Sequence, residues 1–226
     1  MTQASSSCFD GESGAAGLLL NNLIQQLPGI PESVARDKIA QALRDFAQRS
    51  ALWTFEQYEQ ELCPGDTVLE FPKEDGVEVA KVLDVYIQHC DCEEVLPKLG
   101  VFKAVCGCAD GQGWKEPLPG KVVFNQDWDC CQNVRFALQL KPAAGSDTFP
   151  PALLEQHQNV IEQGALAKAY LIPKQEWSST ELGIAYSTAF ERELQRLEEE
   201  ARLLRHFDLR ADRPTYCPTR RLLCCH

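Results

Sequence analysis

Eleven cysteines and four histidines are the residues of this chain with the most chemistry in them. His89, Cys90, Cys92, Cys106, Cys108, Cys130 and Cys131 gather in one stretch. Cys90-x-Cys92 and Cys106-x-Cys108 supply enough sulfur for a four-cysteine zinc site. Their spacing suits it poorly, because a turn usually needs about two to four intervening residues to aim both sulfurs at one metal. Small buried or loop-end thiols are the expectation, and neither a metal nor a cofactor is expected. Cys224-Cys225-His226 reads as incidental. A cysteine nucleophile needs a base beside it and an oxyanion hole. His157 and His206 fall on helices, His226 closes the sequence, and His89 points along a strand away from Cys90. Gly107, Gly111 and Gly113 lack the Lys-Ser/Thr of a phosphate loop. Asp127-Trp128-Asp129 lacks the remaining ligands of a calcium loop. Neither GxSxG nor HExxH occurs. No catalytic residue is assigned, and the chain is expected not to be an enzyme.

The charge balance narrows the partners. The net charge is −11, the opposite of the clustered Lys and Arg that grip phosphate. An acidic wall can still let DNA pass without sticking, by repulsion over about a Debye length. A sequence without an export signal and with enough apolar residues for a core (44%) favours reduced thiols at synthesis in a cytoplasm. A particle later released into an oxidising medium would allow late disulfides. No apolar run approaches the roughly 18 to 20 residues that span a bilayer, so no membrane partner is expected.

The elements follow from periodicity. Residues 1–13 are small and polar and read as a flexible lead. From residue 14, Ala16, Leu19, Leu20, Leu23 and Leu27 recur at helical spacing. Pro28-Gly29-Ile30-Pro31 stops that helix, and Ser33 is placed to cap a second, with Val34, Ile39, Leu43, Phe46 and Ala47 on one face. It ends near Leu52-Trp53, completing an antiparallel helical hairpin. Residues 54–148 change to a strand-like pattern of five or six antiparallel strands. Val68-Leu69-Glu70-Phe71 and the run Val77 to Ile87 flank Asp75-Gly76, a strong hairpin signal. Val101 to Val105 and Lys121 to Phe124 are shorter candidates. In the last strand Val134, Phe136, Leu138 and Leu140 alternate with Arg135, Ala137 and Gln139. Helical period returns at 149–207. Pro150-Pro151 suits a first turn. Leu153, Leu154, Val160, Ile161, Ala165 and Leu171 make a stripe that ends at Pro173. The small residues Gly164 to Ala169 would let another helix approach closely. Ser178-Ser179-Thr180-Glu181 opens a long final helix as a capping box, with Leu182, Tyr186, Phe190, Leu194, Leu197, Ala201 and Leu204 on its apolar face. Residues 208–226 hold Pro214, Pro218, four arginines and two aspartates, and read as an extended arm that orders on a partner. The expected architecture is α+β. A four-helix bundle (14–53 and 149–207) carries an antiparallel β block between helices 2 and 3, plus the C-terminal arm.

Two stretches resemble a known family. Leu23-Ile24-Gln25-Gln26-Leu27-Pro28-Gly29-Ile30-Pro31 is followed by a helix from Ile39 to Trp53 that ends in Ser50-x-x-Trp53. The run Glu162 to Trp177, with Gly164-Ala165-Leu166-Ala167-Lys168-Ala169-Tyr170, has the same character, and so does the long helix with Tyr186 and Phe190. Over roughly residues 15 to 207 this order resembles the head-to-tail adaptors of tailed bacteriophages, also called connector, neck or tail-tubular proteins. The resemblance implies a structural virion subunit made in the host cytoplasm. It would form a homo-oligomeric ring, dodecameric in that family, between the portal and a downstream tail, nozzle or tail-tube protein. Double-stranded DNA would pass through the ring without specific binding. Arg210, Arg213, Tyr216, Arg220, Arg221 and Leu222 would then dock the arm on the portal. Glu198, Glu199 and Glu200 would line the channel. Other neck or tail completion proteins share the pattern. The cysteines have no counterpart in it, which leaves a metal-binding interaction module built on the β-block cysteines as the alternative.

Overall fold

The computed structural model describes residues 15–73, 76–88, 93–99, 113–125, 128, 130–146 and 148–211. The chain is α+β, with a β block between its second and third helices. Helices α1 (Ala15–Gln26) and α2 (Glu32–Ser50) come first. Seven strands are described next: β1 (Thr54–Leu62), β2 (Val68–Glu70), β3 (Val77–Gln88), β4 (Glu93–Val95), β5 (Trp114–Leu118), β6 (Lys121–Phe124) and β7 (Gln132–Pro142). Helices α3 (Pro151–Tyr170) and α4 (Thr180–Ala211) follow. The expected flexible lead and the strand candidate Val101 to Val105 lie outside the described residues.

The chain divides into two compact units. One comprises 1–53, 73–78 and 141–203; the other comprises 54–72, 79–140 and 204–226. In the helical unit Leu19, Leu23 and Leu27 of α1, Ile39, Leu43 and Phe46 of α2, Ile161 and Leu166 of α3, and Phe190 and Leu194 of α4 share one buried cluster. Fully burying such side chains stabilises by about 1.5–3 kcal/mol each. The small residues of α3 do what their size suggests. A β-carbon on Gly164 would lie 2.8 Å from the Phe190 ring, so α4 seats an aromatic directly over that position.

The helix ends differ from expectation in three places. Ser33 does not cap α2. Pro31 occupies the N-cap in extended conformation, without a side-chain cap, and its carbonyl accepts from the Val34 and Ala35 amides at 3.0 Å. At α4 the cap is Ser179, whose Oγ accepts from the Leu182 amide at 3.3 Å. Ser178 instead closes the preceding turn, donating to the Ile172 carbonyl and accepting from the Gln175 amide. The long helix also continues to Ala211, past the boundary expected at 207. Leu209, Arg210 and Ala211 are good helix formers, which suits this extension. Two apolar positions of α4 are misassigned: Leu182 and Leu204 are exposed, whereas Gly183 is buried.

The β unit departs most. Asp75-Gly76 does not join a hairpin. β2 pairs with β6 in a three-stranded sheet of order β2-β6-β5, while β3 lies in a four-stranded sheet of order β1-β7-β3-β4. Gly76 does take a left-handed φ of 77°, but its carbonyl accepts from Ala143 instead of closing a two-stranded turn. β7 keeps Val134, Phe136 and Leu138 buried as expected, and also buries Ala137 and Gln139 on the other face. Its two neighbours and double burial make it an interior strand. The core is aromatic: Phe124, Phe136, Phe71 and Tyr58 meet edge to face at 5.1–6.4 Å. Trp114 is buried and donates its indole N–H to the Leu96 carbonyl at 2.9 Å.

Candidate functional site

The ladder between β1 and β7 builds a cysteine site that sequence periodicity does not reveal. The two strands run antiparallel with Glu61 opposite Asn133 and Leu62 opposite Gln132. One step further, the same register sets Cys63 against Cys131, with their Cα atoms 3.9 Å apart. β1 ends there in the turn Cys63-Pro64-Gly65-Asp66. Asp66 donates its amide to the Cys63 carbonyl at 2.9 Å, and Gly65 has φ 95°. Proline second and a left-handed glycine third are the demands of a type II turn. The Asp66 carboxylate accepts from the Cys63 amide at 2.8 Å, and the Asp66 carbonyl accepts from the buried Trp128 indole at 2.8 Å. The backbone that presents Cys63 is therefore fixed from both sides.

Cys63 and Cys131 are joined as a disulfide with an S–S length of 2.04 Å, and the half-buried Cys130 is a free thiol. Side chains two residues apart on a strand share a face, so Glu61 stands on the Cys63 side. The Glu61 carboxylate and the Cys63 and Cys131 sulfurs all lie within 4.8 Å of one another. Among the described residues no other three His, Cys, Asp or Glu side chains meet this way. Thiol–disulfide exchange and soft-cation ligation are what such a group can do. Cys63 could not have been picked from spacing, because its partner depends on a register across 68 residues. The other sequence candidates, His89, Cys90, Cys92, Cys106, Cys108, Gly107, Gly111, Asp127, Asp129 and His226, lie outside the described residues. Gly113 has a structural role: a β-carbon there would sit 2.6 Å from the Pro97 carbonyl oxygen. His157 packs its ring on Phe46 at 5.2 Å. Burial, helped by Arg196 and opposed by Glu200, holds its pKa below the ordinary histidine value.

Two charged clusters brace the units. In the helical unit Glu78 takes Arg44, Lys73 and Lys141 on one carboxylate. Burial pushes that carboxyl up, but Arg44 and Lys141 together bring it below the ordinary value. Arg44 also donates to the Pro142 carbonyl at 3.1 Å, which ties α2 to the end of β7. In the β unit Arg135 forks onto Glu93 at 2.9 and 2.6 Å and lies 4.2 Å from the centre of the Tyr86 ring. The hydrogen bonds from Arg135 hold Glu93 below the ordinary carboxyl range. Burial, with Asp84 beside it, pushes the Tyr86 phenol up to about 12.

The residues expected to meet partners divide. Glu198, Glu199 and Glu200 are all exposed on α4. Glu200 accepts from Arg196 at 3.1 Å and Glu199 pairs with Arg202 at 3.9 Å, so much of that negative charge is balanced along the helix. Arg210 falls on α4, which corrects its placement in an extended arm. Arg213, Tyr216, Arg220, Arg221 and Leu222 lie outside the described residues. No helix among the described residues is long and apolar enough to cross a membrane. Comparison with models of known protein families and with curated proteins finds no match.

Proposed function

We propose that this chain is a structural subunit of a tailed-phage head-to-tail adaptor, with no catalytic role. In that reading the four helices close as one bundle, and copies associate into a ring around the DNA path. The observation that carries it is α4. Its first half contributes Phe190, Leu194 and Leu197 to the helical core, while its second half carries the exposed Leu203 and Leu204 beside Glu198, Glu199 and Glu200. Adjacent exposed leucines in the second half of a 32-residue helix offer apolar surface that a neighbouring copy would cover. Leu18, Leu171 and Ile184 add exposed apolar surface in the helical unit, as a subunit with two different neighbours in a ring would need. The acidic balance of the chain suits a wall past which DNA slides.

The order of elements supports the same reading, since it matches the sequence resemblance: two helices, a β block, two helices. The arm of this reading starts after Ala211, and Arg213, Tyr216, Arg220, Arg221 and Leu222 are its docking residues on the portal, with Arg210 at its base. Deleting residues 212–226 and measuring binding to the portal protein of the same phage tests the arm. Loss of docking with rings still formed supports it; unchanged docking removes the arm from the account. Native mass spectrometry of the intact chain with that portal tests the whole reading, which fails if no assembly forms.

A further inference from the structure

We propose that Glu61, Cys63 and Cys131 form a binding site for a thiophilic divalent cation, zinc being the natural probe, in the reduced protein, and that the Cys63–Cys131 disulfide is the oxidised state that excludes it. The three donors already share one face at the end of the β1–β7 ladder and lie within 4.8 Å of one another. Tetrahedral zinc holds sulfur at about 2.3 Å and carboxylate oxygen at about 2.0–2.2 Å, so two ligating sulfurs stand about 3.8 Å apart. Opening the S–S bond and rotating two side chains reaches that separation without moving the strands. The Cys63 amide is held by the Asp66 carboxylate, and Asp66 is held in turn by the Trp128 indole on its carbonyl, so the backbone that presents Cys63 is fixed. Three protein ligands leave a fourth position for water, with Cys130 next in sequence to Cys131.

The two states exchange by ordinary thiol chemistry. With glutathione disulfide as oxidant, the Cys63 thiolate attacks one glutathione sulfur and releases one glutathione thiolate. The Cys131 thiolate then attacks the mixed disulfide at the Cys63 sulfur, forms the Cys63–Cys131 bond and releases the second glutathione thiolate. Two electrons pass to glutathione, and the cation leaves as Zn²⁺ with its oxidation state unchanged. The site is therefore a metal site where thiols are kept reduced and a covalent strand clamp after exposure to an oxidising medium. This holds whether or not the chain builds a ring.

The test uses the full chain, reduced with a phosphine, freed of reductant and dialysed against zinc chloride. Wild type is expected to hold one more zinc ion per chain than C63S/C131S, a comparison that subtracts any zinc on the remaining cysteines. Glutathione disulfide should release that ion as peptide mass spectrometry detects the Cys63–Cys131 link. E61A changes an exposed side chain and should still form the disulfide, yet weaken zinc binding at this site by roughly tenfold or more, since losing even an outer-shell partner costs about that much. Equal zinc content in wild type and C63S/C131S overturns the proposal. Should the double variant fail to fold by circular dichroism, E61A decides alone, and unchanged zinc affinity there overturns the three-donor site.

Discussion

In the helical unit the buried side chains come from positions three and four residues apart, and its polar contacts lie mainly at the edge. In the β unit the buried side chains come from strands far apart in sequence, and indole N–H groups reach inward to bond backbone: Trp114 to Leu96 and Trp128 to Asp66. The first kind of core follows from a local rule. The second exists only once long-range register is set, and directional bonds, with one covalent link added, hold that register. The candidate chemistry sits in the second.

The largest effects should come from truncating each core. Phe46→Ala and Trp114→Ala should each cost about 3–5 kcal/mol of stability. Hydrogen exchange read along the chain should show the F46A loss mainly in α1–α3 and the W114A loss mainly in β5 and β6. Equal loss throughout for both would erase the distinction between the units. Next, reducing Cys63–Cys131 in metal-free buffer should cost about 2–4 kcal/mol by freeing a long loop in the unfolded chain, with protection lost first at the ends of β1 and β7. Gly164→Ala sharpens the helical side. An exposed helical glycine would gain up to about 1 kcal/mol from this change, whereas here the Phe190 ring forces overpacking, and urea melts should show a loss of about 1–3 kcal/mol.

The smallest effect is a pH dependence. Glu78 and Glu93 have folded pKa values below their ordinary one. Their contribution is complete above the unfolded glutamate value and is lost as pH falls through the lower folded values. His157 acts in the same direction at higher pH: its folded value is depressed, so stability falls as pH drops below the unfolded histidine value. E93Q should flatten the acid limb of stability against pH, and H157Q should flatten the limb above it. Unfolding midpoints across pH 3 to 7, roughly the span of these groups, check both.

How much was legible in the sequence follows the same division. The four helices and the β block between them were readable because Leu19, Leu23 and Leu27, or Ile39, Leu43 and Phe46, repeat at the period of the helix itself. Which serine caps was not, since Ser178 and Ser179 differ only in the turn that claims each. Pairing was least legible. Asp75-Gly76 carries the residue types of a tight hairpin, yet β2 finds β6 some fifty residues later, a choice made by packing and not by the turn. Cys63 is the sharpest case. It stood outside the cysteine-rich stretch, and only the β1–β7 register brings it to Cys131.

Assembly is the proposed role, and the direct measurement is the mass of the intact chain mixed with a tailed-phage portal protein, read by native mass spectrometry. The adaptor reading predicts a discrete closed ring of this subunit on the portal. A chain that stays monomeric and leaves the portal mass unchanged at every concentration contradicts it.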